Sequence, residues 1–217
     1  MKFAIITLFP EMFDKVLNSS MLWKAQEKQL VSFELINLRD FGLGARRRVD
    51  DTPYGGGDGM LLMVEPLLKA VEHAKTLTKS PKIWLMSPSR HIWSQQDASE
   101  AASSGGDRII ICGHYEGVDA RILQFVDDVI SVGNYVLTGG ELPAMTVIDS
   151  IVRLIPGVLG GAQSATIESF SSGNNLEFPQ YTRPEVFRDL PVPKVLLSGN
   201  HATIAQWREQ HGGNVVT

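Results

Sequence analysis

Val129-Ile130-Ser131-Val132-Gly133-Asn134-Tyr135-Val136-Leu137-Thr138-Gly139-Gly140-Glu141-Leu142-Pro143 reads as a strand, a glycine loop and the mouth of a helix. Val129–Val132 is an apolar run of strand length. Beyond Gly140 the apolar residues Met145, Val147, Ile148, Ile151, Val152 and Leu154 recur at near-helical spacing, which predicts a helix over Glu141–Leu154 with one buried stripe. Paired glycines at a helix N-terminus let a ligand approach the backbone with no side chain in the way. The stretch therefore predicts a pocket for a small polar molecule.

The same alternation extends upstream. Lys2–Leu8, Val31–Leu38, Lys82–Met86 and Arg108–Cys112 read as strands, and Pro10–Gln29, Glu65–Lys79, Ser94–Ser104 and Glu116–Val126 as helices. Strands separated by helices imply an α/β fold, a parallel sheet covered on both faces. Ligands of such sheets sit outside the carboxyl ends of the strands. This points to the loops Met86–Ser89, Gly113–Glu116 and Gly133–Gly140. After Gly161 the texture changes: Gln163–Pro184 is polar and aperiodic and reads as a long functional loop. Val195–Leu197 is a short apolar segment, and Ala202–Gln210 a capped helix, too little for a core of its own.

At 217 residues, 43% hydrophobic and 20% charged, the chain has room for a substantial core. Its single cysteine, Cys112, lies in an apolar run and reads as a small buried side chain. One cysteine closes no internal disulfide, which fits a reducing compartment. Residues 3–9 are too short for a signal sequence, and no uncharged run approaches the ~20 residues that span a bilayer. A cytoplasmic, membrane-free protein is expected. The net charge of −4 does not advertise nucleic-acid binding, although phosphates respond to local patches. Arg46-Arg47-Arg48 reads equally as such a patch or as a solvated face. The chain has no P-loop, no dinucleotide fingerprint, no G-x-S-x-G elbow and no zinc-ligand spacing, which removes the commonest nucleotidase, dehydrogenase and hydrolase readings.

Several blocks in order then carry a resemblance. They are Asp50-Asp51-Thr52-Pro53-Tyr54-Gly55-Gly56-Gly57 with Gly59-Met60, Leu85-Met86-Ser87-Pro88, Cys112-Gly113-His114-Tyr115-Glu116-Gly117-Val118-Asp119, Gly133 through Arg153, Pro156-Gly157-Val158-Leu159-Gly160, Tyr181-Thr182-Arg183-Pro184-Glu185 and Val192–Arg208. Together they resemble the bacterial tRNA (guanine-N1)-methyltransferases, the TrmD group of knotted S-adenosylmethionine-dependent enzymes.

The resemblance implies a methyltransferase domain over 1–161 with a deep trefoil knot, a linker over 162–180, and a small helical tRNA-binding domain over 181–217. It also implies a homodimer with shared active sites. By match, Pro88, Gly113, Glu116, Val132, Gly133, Asn134, Tyr135, Val136, Leu137, Gly139, Gly140 and Pro143 hold S-adenosylmethionine. Arg153 stabilises the guanine oxygen, and Glu168, in Glu168-Ser169-Phe170, takes the place of the family's aspartate base. Asp50, Gly57, Gly59, Arg183, Ser198 and His201, with Arg208, are expected to meet the anticodon region of tRNA. Magnesium dependence is implied by the family; the sequence has no dedicated metal cage.

This sequence departs from the family at Glu168, at Asn134 where aspartate is common, at His114 where arginine is frequent, and at Asp58 where proline is frequent. The short C-terminal piece is expected to weaken the grip on the anticodon stem. Glu168 also keeps open a second reading, a knotted protein that binds cofactor and RNA with weak or lost catalysis. A ribose methyltransferase would not need to deprotonate a base, and the first glycine loop with Arg153 and Glu168 argues against it.

Overall fold

The computed structural model describes residues 1–160, 168–170 and 176–212, with the side chain of Arg90 excepted. The chain divides into two compact units, Met1–Gly160 and Gly161–Thr217.

In the first unit, β1 (Lys2–Thr7), β2 (Ser32–Asn37), β5 (Lys82–Ile92), β6 (Arg108–Cys112) and β7 (Asp128–Ser131) form one sheet in the order β2-β1-β6-β5-β7. Every pairing in it is parallel. Two short strands, β3 (Asp50–Asp51) and β4 (Leu61–Leu62), pair antiparallel apart from it. All five residues of β6 are buried, as a central strand covered on both faces requires.

The strands' two-residue period sorts their side chains into two cores. Phe3, Ile5, Trp84, Met86, Ile110 and Cys112 face one way, with buried residues of α2 (Ser20–Glu27), α4 (Gln95–Ser104) and α5 (Glu141–Val152). Ala4, Ile6, Ile83, Leu85, Ile109 and Ile111 face the other, with Leu67, Ala70, Val71 and Ala74 of α3 (Val64–Leu77). The apolar stripe of α5 is buried through Val147, Ile148, Ile151 and Val152. Among the described residues, no helix is long and apolar enough to cross a membrane.

Three expected elements differ. The helix over Pro10–Gln29 is broken into a 3-10 turn at Pro10–Met12, a single turn α1 (Asp14–Leu17) and α2. Ser19 is extended (φ −129°, ψ 156°) and starts α2 afresh, and the break falls on Asn18-Ser19-Ser20, residues of modest helix propensity, with Ser20 at φ +50°. Glu116–Val126 is a loop followed by a 3-10 helix over Ala120–Phe125. There Gly117 has φ +137°, its carbonyl accepts from Leu62 N, and Asp119 N donates to Leu62 O, so the segment is spent on β4. The strand expected to end at Met86 continues to Ile92. Met86 and His91 both pair with Ile130, so Ser87–Arg90 bulge out between them. Pro88 has no N–H to give the ladder, and Ser89 Oγ donates instead to Val129 O at 2.7 Å.

In the second unit, β8 (Val186–Phe187) and β9 (Leu190–Pro191) form a hairpin that turns through Arg188 and Asp189, both at positive φ. α6 (Lys194–Leu197) and α7 (His201–His211) follow, the latter capped by the Asn200 side chain. None of its described residues is fully buried.

Candidate active site

Three segments converge where β5 bulges after Met86 and where β6 ends at Cys112. Gly113 N donates to Met86 O at 3.3 Å, and Gly113 O accepts from Gly140 N at 2.7 Å. An isolated bridge joins His114 to Gly139. Only glycine fits this stitching. A Cβ on Gly140 would lie 2.7 Å from Gly113 N and 2.8 Å from Cys112 Cα, and one on Gly113 would lie 2.9 Å from Met86 O.

The pocket so formed is lined by Pro88, Gly113, Glu116, Val132, Tyr135, Val136, Leu137, Gly139, Gly140 and Pro143. Gly133 and Asn134 belong to the same loop but lie outside the lining. Met86, Ile130, Val132, Leu137 and Pro143 supply apolar walls. The backbone N–H groups of Asn134 through Thr138 make no hydrogen bond to any described residue. An apolar slot edged by free backbone donors suits a flat heterocycle with a few ring acceptors. Sequence reading did not name Met86, Ser87, His114, Tyr115, Gly117, Ile130, Ser131 and Thr138 as lining residues, although Met86, Ser87, His114, Tyr115 and Thr138 lie in the three loops it singled out. The loop residues among them are chain neighbours of motif glycines or of Pro88, which was the available signal, whereas Ile130 and Ser131 belong to β7.

Under the pocket, Glu141 is 2% exposed and accepts a hydrogen bond from Thr7 Oγ1 at 2.8 Å. Burial, with the nearby charge of Glu141, pushes the Cys112 thiol well up, so it stays a neutral core side chain.

The first glycine loop joins β3 to β4, with Asp50 opposite Leu62. Gly55, Gly56, Gly57 and Gly59 all have positive φ, and Tyr54 at its tip is fully exposed. This loop reaches the pocket: Glu116 N donates to Met60 O at 3.1 Å, and a Cβ on Gly59 would lie 2.3 Å from Glu116 Cγ. Arg47 pairs with Asp40 and Arg48 with Asp51, both on the surface, where such pairs contribute little.

Arg153 is the half-buried C-cap of α5, with its N–H on Asp149 O at 3.1 Å. Glu168, half-buried, belongs to the second unit. Its neighbour Ser169 accepts from Glu177 N through Oγ at 3.0 Å. In that unit Arg183 and Arg208 line one groove with Phe178 and Tyr181, and the Arg208 guanidinium lies 4.7 Å from the Phe178 ring centroid. Ser198 and His201 lie outside that groove, just before and at the start of α7. Among the described residues, no group of three or more His, Cys, Asp or Glu side chains could hold a metal ion.

Comparison with known proteins bears on this site. The family model described as tRNA (Guanine-1)-methyltransferase TrmD matches residues 1–214. A tRNA (guanine-N(1)-)-methyltransferase of Caldanaerobacter subterraneus is 53% identical over 211 residues, 97% of this chain and 86% of that protein. One of Nostoc punctiforme is 51% identical over 208 residues, 96% of this chain and 87% of that protein. The crystal structure of the tRNA (m1G37) methyltransferase from Aquifex aeolicus superposes with a TM-score of 0.81 at 34% identity, covering 97% of this chain and 88% of that one.

Proposed function

The chain belongs to the tRNA (guanine-1)-methyltransferase TrmD family, and from that premise we propose that it methylates N1 of the guanosine immediately 3′ of the tRNA anticodon. The observation that carries this reading is similarity along almost the entire chain to relatives named for this reaction. S-adenosylmethionine supplies the methyl group, as an electrophilic carbon on a sulfonium.

The pocket's residues fit such a donor. Val132, Leu137 and Pro143 would form a slot for the adenine, and the N–H groups of Tyr135 through Thr138 would be open to its ring nitrogens and ribose. Glycine at 113, 139 and 140 lets the backbone come close.

Guanine N1 carries a proton at neutral pH and is a poor nucleophile until that proton leaves. Glu168 removes it, and the charge that develops on the ring and O6 is met by the Arg153 guanidinium. The rest is alignment of nitrogen, methyl carbon and sulfur. N1 lies on the Watson–Crick edge, so the base is unstacked and presented singly. The first glycine loop, through Asp50, Gly57 and Gly59, lies beside the incoming base. Arg183, Ser198, His201 and Arg208 hold the anticodon stem.

The working form is a cytoplasmic homodimer with a trefoil knot at the methyl-donor site, and magnesium supports turnover. Gel filtration coupled to light scattering measures the first of these, and a magnesium titration of the assay the last.

Labelled S-adenosylmethionine offered with transcripts bearing guanosine or adenosine 3′ of the anticodon tests the reaction. Transfer to the guanosine transcript alone is expected. Transfer to both would point away from guanine-base chemistry. Donor binding without transfer to either would leave only a cofactor- and RNA-binding protein.

A further inference from the structure

Beneath the pocket lies a polar arrangement that the mechanism above does not use. The His114 ring is 21% exposed and lines the pocket, yet its Nδ1 is buried and makes no hydrogen bond. Behind it, Glu141 Oε2 stands 3.8 Å from Nδ1, with the Glu141 side chain 3% exposed. Thr7 fixes this carboxylate, donating from Oγ1 to Oε1 at 2.8 Å while accepting from Phe9 N at 3.0 Å. The rings of Phe9 and Tyr115 lie 5.0 and 4.9 Å from the imidazole and hold its plane. Gly139 makes the approach possible, because a Cβ there would lie 2.4 Å from Glu141 Oε2 and 2.6 Å from His114 Nδ1. A buried carboxylate facing an imidazole without a hydrogen bond costs stability, and an apolar pair would pack the site more cheaply.

The pocket's charge inventory suggests what the arrangement serves. Among the described side chains that line it, His114 is the one that can carry positive charge and Glu116 the one that can carry a full negative charge. The methyl donor ends in an amino acid, an ammonium beside a carboxylate. Glu116 complements the ammonium, and His114 complements the carboxylate.

We propose that His114, backed by Glu141, receives the carboxylate of the donor's amino-acid tail through its Nε2–H. This rests on the reading of the pocket as the methyl-donor site. In this arrangement Nε2–H donates to the ligand carboxylate, while Glu141 stands behind Nδ1 at 3.8 Å. The chain holds another imidazole placed between carboxylates. His91 lies between Asp128 (2.6 Å) and Asp97 (3.2 Å), and although burial works against its charge, the two hydrogen bonds raise its pKa. Cys112, the other titratable group beside Glu141, is held neutral by burial and adds no charge. Glu141 is then a positioning residue, and Thr7 its support.

Calorimetric titration of the full chain with S-adenosylhomocysteine and with its decarboxylated analogue, which keeps the ammonium, tests this. The unmodified protein is expected to prefer the carboxylate-bearing ligand by about tenfold or more, the scale of a charge-assisted hydrogen bond. In His114→Asn the two ligands should bind equally, with the analogue's affinity unchanged. His114→Arg should keep the preference, and Glu141→Gln should shrink it without weakening the analogue. A merely structural role would not move this ratio. Preference intact in His114→Asn, or absent from the unmodified protein, would overturn the proposal. If asparagine abolishes binding of both ligands, His114→Arg decides, and equal binding there overturns it. An unmodified protein that binds neither ligand sinks the methyl-donor reading itself.

Discussion

Glu168 carries its carboxylate one methylene further from the backbone than the aspartate common in the family. A misplacement of ~1 Å can cost roughly a hundredfold in rate, so the longer side chain needs a backbone set back to match. Glu168→Gln keeps the shape and removes the basicity. It should leave S-adenosylhomocysteine affinity within about twofold and lower turnover by about a hundredfold or more, as measured by single-turnover methyl transfer. Unchanged turnover removes Glu168 from the mechanism. Gly140 poses the opposite question, a residue needed for what it lacks. Its φ of −84° is open to any side chain, so the constraint is space alone. Gly140→Ala would press a methyl onto the backbone of Gly113 and Cys112 and stretch the 2.7 Å bond that stitches the pocket. A loss of about 1–3 kcal/mol in a denaturant titration is expected, together with weakened S-adenosylhomocysteine binding.

At the scale of elements, the extension of β5 past its bulge depends on a clamp. His91 bonds Asp128 at the head of β7 and Asp97 in the first turn of α4, where Asp97 also completes the capping box with Ser94. The folded state raises the His91 pKa, so its stabilisation is full below the unfolded value of about 6.5 and is lost as pH rises through the folded one. Burial raises the Asp97 carboxyl, but its bonds to Ser94 and His91 outweigh this and lower it. That contribution is present above the ordinary carboxylate range and disappears in acid. Thermal melts should therefore show stability falling from about pH 6.5 upward, and His91→Gln should flatten that slope. An identical slope in the variant would exclude the clamp. Sequence patterning found β5 but ended it at Met86, where the apolar run stops. The re-pairing at His91 depends on Ser89 reaching the β7 backbone, a contact between residues 40 apart.

For the molecule as a whole, charge sets how RNA is held. The net charge is −4, and the second unit carries four Lys and Arg against five Asp and Glu, so attraction to phosphate rests on a few placed arginines. A plot of log affinity for tRNA against log salt should have a shallow slope, about −2 to −4, since each phosphate neutralised contributes about −0.7 to −0.9. A slope near −8 would mean that many more phosphates are neutralised than these few arginines can meet. The parallel α/β architecture was legible in the sequence, because strands covered on both faces must be continuously apolar and amphipathic helices must repeat near 3.6. The pocket loops were legible as well, because glycines clustered after strands leave few other uses. Glu116–Val126 was misread as a helix, since a local pattern cannot reveal that β4 captures its backbone. His114 was seen only as a substitution: its partners Thr7 and Glu141 are far from it in sequence, and only folding brings that carboxylate and that imidazole face to face across Gly139. Local periodicity thus determined the elements and the place of the site. Long-range backbone pairing and burial decided which side chains the site contains.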